Sequence, residues 1–136
     1  MRIGADYYPE HWEKERWKTD AEMMVKANIK VIRIGEFAWS LYEPEEGKYE
    51  FDWMDEALDF FGKYGIKVVM CTPSATPPKW MIDKYPDILQ NDIHGNPKLF
   101  GTRKHYCFNS ETYREKTKKL NTLIAKRYAK HPAIEA

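Results

Sequence analysis

Cysteine is scarce in this sequence. Cys71 and Cys107 are the only two among 136 residues, far apart and in no CxxC pair, which excludes a disulfide-framed scaffold. Excess charge is missing as well. Twenty-two lysines and arginines face 21 acids, for a net charge of +1, so electrostatics gives no reason to expect nucleic acid or an acidic membrane as partner. No apolar run approaches membrane-spanning length, and the opening "MRIGADYYPEHW" lacks the basic-then-apolar layout of a secretion signal. The expected setting is the cytoplasm.

What the sequence does have is aromatic rings, at 15% of residues, many of them beside acids or prolines rather than in helical stripes. The densest stretch is "RIGEFAWSLYEPEEGKYEFDW", Arg33 to Trp53. Acids among rings suit carbohydrate, because aromatic planes match the apolar C–H face of a pyranose. Tyr7, Tyr8, Trp39 and Trp80 are candidates for such stacking, each also explicable as loop packing.

An internal echo organises the chain. "KANIKVIRI" from Lys26 and "KYGIKVVMC" from Lys63 share one layout. In each a helix ends, a residue suited to left-handed backbone follows (Asn28, Gly65), and a β-branched run begins. Ahead of the first echo Trp17, Ala21 and Met24 keep helical spacing; ahead of the second Trp53, Ala57, Phe60, Phe61 and Tyr64 do so, with Asp52 placed to cap. A third helix is expected from Ser110 as cap through Tyr113, Thr117, Leu120, Ile124 and Tyr128, with Pro132 past its end and a strand beginning at Ala133-Ile134. "RIGAD" reads as the first strand. A long connection between the third strand and third helix holds a short helix around Lys79 to Lys84 and a turn at "NDIHGNP", with Gly95 where positive φ is needed.

Repeated strand-helix units with apolar strands imply a parallel sheet, either doubly wound or part of a barrel. A complete (β/α)8 barrel needs about 250 residues. The expectation is one α/β body over 1–136 with no internal domain boundary, a partial barrel of three βα units and the onset of a fourth strand.

Among charged residues, Arg33 sits inside an apolar strand and must reach the strand's C-terminal end or find a carboxylate such as Glu36, because a buried unpaired charge is costly. It is either a ligand-orienting group at the mouth of the sheet or half of a structural ion pair. Arg103, in "GTRKHYCFNS", is either a sugar or carboxylate clamp or a solvated loop residue. Cys107 is a metal ligand only if others join it; a buried free thiol is the plainer reading. Glu43, Glu45 and Glu46 surround Pro44 and Gly47 in a charged turn, as in a solvated connection. Glycoside hydrolysis asks for two carboxylates across the scissile bond, and none of these acids stands out as the proton donor.

"GADYYPEHW", "RIGEFAWSLYEPEEGKYEFDW", "CTPSATPPKW" and "RKHYCFNSETYR" together resemble the N-terminal part of the β-galactosidases of glycoside hydrolase family 42. The resemblance runs the length of the sequence. It implies a TIM barrel, and hydrolysis of terminal β-galactosides with retention by a full-length enzyme. Its acid/base glutamate follows the fourth strand and its nucleophile a much later one, both beyond Ala136; Glu135 falls too early for the acid/base. The 136-residue chain is thus expected to be truncated, inactive alone and poorly folded.

By the same resemblance Arg33 and Arg103 match positions that hydrogen-bond galactose, and Glu36 matches an acid beside them. Cys107 matches the first of four zinc-binding cysteines of some members. No organic cofactor is implied, and the resemblance implies a trimeric assembly for the complete enzyme. Two other readings are a non-catalytic sugar-binding α/β module and a related retaining glycosidase of different sugar preference.

Overall fold

A computed structural model describes residues 3–102 and 104–136. Two compact units are present. The first comprises the residues up to Glu36, Phe51–Cys71 and Arg127–Ala136; the second comprises Phe37–Glu50 and Thr72–Lys126.

The first unit holds a parallel sheet of β1 (Ile3–Asp6), β2 (Ile29–Ile34) and β3 (Lys67–Met70), in that spatial order. Helix α1 (Lys14–Lys26) joins the first pair, burying Trp17, Ala21 and Met24, and the Trp17 indole donates to the Pro9 carbonyl at 3.0 Å. It ends at Ala27; Asn28 turns left-handed at φ 57° and its N–H bonds the Val25 carbonyl at 3.0 Å. The second echo ends likewise, with Gly65 at φ 71°.

A strand run that always advances in one direction by right-handed crossovers keeps its helices on one face. A barrel advances in this way throughout, whereas a doubly wound sheet does so over each half and reverses between them. The progression continues past β3. Ile134 pairs in parallel with Val68, and the Val68 N–H donates to Ala133 while the Glu135 N–H donates back to Val68, each at 2.8 Å. The strand onset expected at Ala133-Ile134 is there.

Two local expectations are corrected. Asp52 does not cap the helix between β2 and β3. Phe51 takes a near-helical backbone, the Met54 and Asp55 N–H groups bond its carbonyl, and α3 runs Asp52–Lys63 with Asp52 already inside it. The buried face also differs: Met54, Ala57, Leu58 and Phe61 are sealed, while Trp53, Phe60 and Tyr64 are half-buried. Large rings reach the core edge from flanking positions, so ring content misplaced the stripe by about one residue.

The second unit contains α2 (Trp39–Tyr42), α4 (Lys79–Lys84) and most of α5 (Glu111–Tyr128). Ser110 caps α5 as expected, its hydroxyl accepting the Tyr113 N–H at 3.2 Å. The "NDIHGNP" turn forms with Gly95 at φ 84°, and Asp92 accepts the N–H groups of His94 and Asn96 at 2.8 and 2.9 Å.

Candidate functional site

Side chains alternate between the two faces of a strand. Asp6, Arg33 and Val69 are in register across the three strands and therefore share a face. Tyr7, of the opposite set, meets Phe61 of α3 edge-on at 5.2 Å, and Ile32, Ile34 and Val68 are fully buried. The helices thus cover the Ile32 face, and Arg33 stands on the other, at the C-terminal ends of the strands, where α/β folds carry their sites.

Gly35 follows β2 with φ 85°, a conformation costly for any side chain, and the turn it makes brings Glu36 back onto Arg33. The Arg33 Nη2 donates to Glu36 Oε2 at 2.6 Å. Its Nε donates to Asp6 Oδ1 at 2.8 Å, and Nη2 also reaches Asp6 Oδ2 at 3.3 Å. The guanidinium is held in a fixed plane by two carboxylates while its side chain stays partly open. The hydrogen bond to Asp6 raises the pKa of Arg33 further and holds the Asp6 carboxyl below the usual range. Cys71 lies close by; burial pushes its thiol up, with Arg33 working against that shift.

The Arg33–Glu36 pairing expected from sequence is therefore present. Asp6 was missed as the second partner, although its signal was legible: an acid closing the first strand of a parallel sheet meets whatever closes the next. Cluster chemistry favours a neutral polyol. One cation between two acids has a formal charge of −1, which repels anions, while carboxylate oxygens accept from hydroxyls and guanidinium N–H groups donate to them.

Arg103 lies outside the described residues. Cys107 is half-buried, its N–H bonded to the Ile88 carbonyl at 2.7 Å. Its neighbour His105 is buried with Nδ1 2.8 Å from the Thr102 carbonyl. Among the described residues no three His, Cys, Asp or Glu side chains gather to hold a metal, so these residues do not compose a zinc site by themselves.

The charged turn of the second unit is not a solvated connection. Glu43 is 2% exposed; its carboxylate accepts the Trp39 indole N–H at 3.0 Å and the Gly47 N–H at 2.9 Å, and its carbonyl accepts the Trp80 indole at 2.8 Å. Glu46 takes ion pairs from Lys84 and Lys116 and the Tyr85 hydroxyl at 2.8 Å, which hold its carboxyl at about 2. Only Glu45 fits the expectation, exposed and paired with Lys48. Trp39, a candidate for sugar stacking, is fully buried, and Tyr7 is buried with its hydroxyl on Asp20 at 2.9 Å. Trp80 and Tyr8 remain half-buried.

A family model described as β-galactosidase, glycoside hydrolase family 42, matches residues 6–136. The chain is 48% identical over 134 residues to β-galactosidase BgaH of Haloferax lucentense and 52% identical over 132 residues to a β-galactosidase of Thermus thermophilus. These alignments cover 98% and 97% of the chain and 20% of each relative. The crystal structure of a β-galactosidase from the psychrophilic Marinomonas ef1 superposes with a TM-score of 0.96 at 46% identity, covering 100% of this chain and 21% of that one. The chain spans about one fifth of the length of the curated relatives it matches. With a one-directional parallel sheet whose strand ends carry the Asp6–Arg33–Glu36 cluster, it belongs to the β-galactosidases of glycoside hydrolase family 42 and forms part of their TIM barrel.

Proposed function

We propose that this chain is the sugar-positioning part of a retaining β-galactosidase, holding a terminal galactose for carboxylates supplied by the portion of the family barrel that it does not span. The observation that carries the reading is the fixed Arg33 guanidinium between Asp6 and Glu36 at the strand ends, presented on the face away from the helices. A guanidinium locked by two carboxylates aims its remaining N–H groups without losing rotamer freedom on binding, so it orients a hydroxyl at little entropic cost. Arg103 joins it in this reading as a second donor to the sugar, as the family resemblance implies.

Bond cleavage falls elsewhere. Glu43 and Glu46 are occupied by the hydrogen bonds that fasten their own unit, and Glu36 is bound to Arg33. Two further carboxylates are therefore needed for protonation and attack with retention. The chain alone is inactive in this proposal. Zinc bound through Cys107 requires three more ligands beyond the described residues. Trimeric assembly, supported by the resemblance alone, and a cytoplasmic setting belong to the same proposal.

The test is a chimera in which this chain replaces the matching fifth of the Haloferax lucentense relative. Hydrolysis of a nitrophenyl β-galactoside is expected, and Arg33→Met should lower kcat/KM by about 100-fold with the melting temperature unchanged. An Arg33→Met chimera as active as its parent would remove Arg33 from the sugar site.

A further inference from the structure

Beyond Asp6 and Met70 the sheet ladder continues for one more bond on each side of β2. The Tyr7 N–H donates to the Arg33 carbonyl at 3.0 Å, and the Cys71 N–H donates to the Ile34 carbonyl at 2.9 Å. Side chains two residues apart along a strand share a face. Tyr8 therefore follows Asp6, and Cys71 follows Val69, on the face that carries Arg33 and one step nearer the mouth. The middle place of this upper row belongs to Gly35, which has no side chain, so within the row nothing stands between Tyr8 and Cys71. The Tyr8 ring is braced by His11, stacked on it at 5.3 Å with 23° between the planes, and the His11 N–H bonds the Tyr8 carbonyl at 3.0 Å. One ring face is thus taken, and sugar stacking on Tyr8 gives way to its hydroxyl. Burial pushes that phenol above its ordinary value; Glu36 and Asp6 push the same way while Arg33 opposes them, which places the group among the charges at the mouth.

We propose that Tyr8 is a specificity-determining residue of the sugar site, its hydroxyl bonding one hydroxyl of the pyranose that Arg33 holds, with Cys71 bordering the opposite side of the same seat. The inference rests on the sugar-positioning reading above and deepens it. The two contacts differ in kind: a guanidinium only donates, whereas a phenol has one O–H to donate and lone pairs that accept. A ring braced by His11 aims that hydroxyl with little rotamer freedom to lose. A site built to hydrogen-bond a hydroxyl rejects the analogue lacking it, because its own polar group is then left unpaired. Cys71 borders the seat as a neutral thiol, since burial pushes it up, and it draws no anion toward the sugar.

The test uses the single-chain chimera described above. Tyr8→Phe should lower kcat/KM on nitrophenyl β-galactoside about tenfold, the worth of one neutral hydrogen bond, with the circular dichroism melt unchanged. On the monodeoxy nitrophenyl galactosides taken in turn, that loss should persist for all but one and vanish for the analogue lacking the hydroxyl that Tyr8 holds. An equal loss on every analogue makes Tyr8 a remote support and overturns the contact, as does a Tyr8→Phe chimera as active as its parent. Arg33→Met separates this inference from the reading beneath it. Loss there with none at Tyr8 spares the sugar grip and overturns the Tyr8 contact; loss at Tyr8 alone, with its single-analogue signature, does the opposite. Cys71 gives a readout that needs no turnover. Its alkylation by iodoacetamide, followed by mass spectrometry of its peptide, should slow about tenfold at galactose ten times its Kd, while Cys107 labels at an unchanged rate. Equal labelling of Cys71 with and without galactose overturns the seat between Tyr8 and Cys71.

Discussion

Glu36 and Glu43 come from the same short stretch of sequence and have opposite fates. In the first unit Glu36 and Asp6 hold one arginine at the rim of a sheet, and the cluster remains partly open. In the second, Glu43 is sealed, both carboxylate oxygens accepting N–H bonds from Trp39 and Gly47. The difference lies in what each partner leaves over. Two carboxylates cannot use all five N–H groups of a guanidinium in this geometry, whereas an indole and a main-chain amide have one N–H each and are consumed. The open cluster can meet a ligand, and the closed one can only hold its own turn.

The contrast can be broken from several sides. The largest effect should come from neither cluster but from the layer beneath the sheet: Phe61→Ala, at a fully buried ring touching Tyr7, Trp17 and Phe60, should cost about 3–5 kcal/mol in urea unfolding. Next, Glu43→Ala leaves a buried indole N–H and an amide unpaired and should cost about 1–3 kcal/mol, measured the same way.

Acid titration sharpens the distinction further. Ion pairs with Lys116 and Lys84 and the Tyr85 hydroxyl hold Glu46 at about 2, against 4.5 when free. A depressed carboxyl contributes stability above its unfolded value and loses it as pH falls through the folded one, so the loss runs from about 4.5 down to about 2. In melts across that window, Glu46→Gln should be flatter than the parent. Tyr113 gives the alkaline counterpart, because burial pushes it up to about 12; stability present below 10 should decline toward pH 12, and the decline should be shallower in Tyr113→Phe, with Tyr49, Tyr7 and Tyr128 keeping the remainder. The smallest change is expected for Glu36→Gln, which should scarcely move the melting temperature of this chain while reducing galactoside turnover in the chimera. A large stability loss there would make Glu36 another fastener, and the distinction between the clusters would vanish.

Much of the fold was legible because it is written locally. The echo of Asn28 and Gly65 marked two helix-to-strand passages, and both residues take the left-handed backbone that their type allows. Ser110 and Gly95 occupy the cap and the turn that their chemistry suits. The buried stripe of α3 was displaced because ring size attracts attention, whereas burial follows angular position. The turn at Glu43 was misread because three glutamates near a proline and a glycine look solvated until the partners arrive. Lys84, Tyr85 and Lys116 lie far along the chain, and no local pattern links them to Glu46.

By itself, then, the sequence determined the order of strands and helices, their stops and the parallel character of the sheet. Those follow from backbone preference and side-chain period, both of which act over a few residues. Only the tertiary structure decided that Asp6 is the second acid on Arg33, that the helices between strands share one face, and that Glu43 and Glu46 are fasteners. Each of these depends on groups distant in sequence meeting in space, and register and packing fix such meetings where local preference cannot.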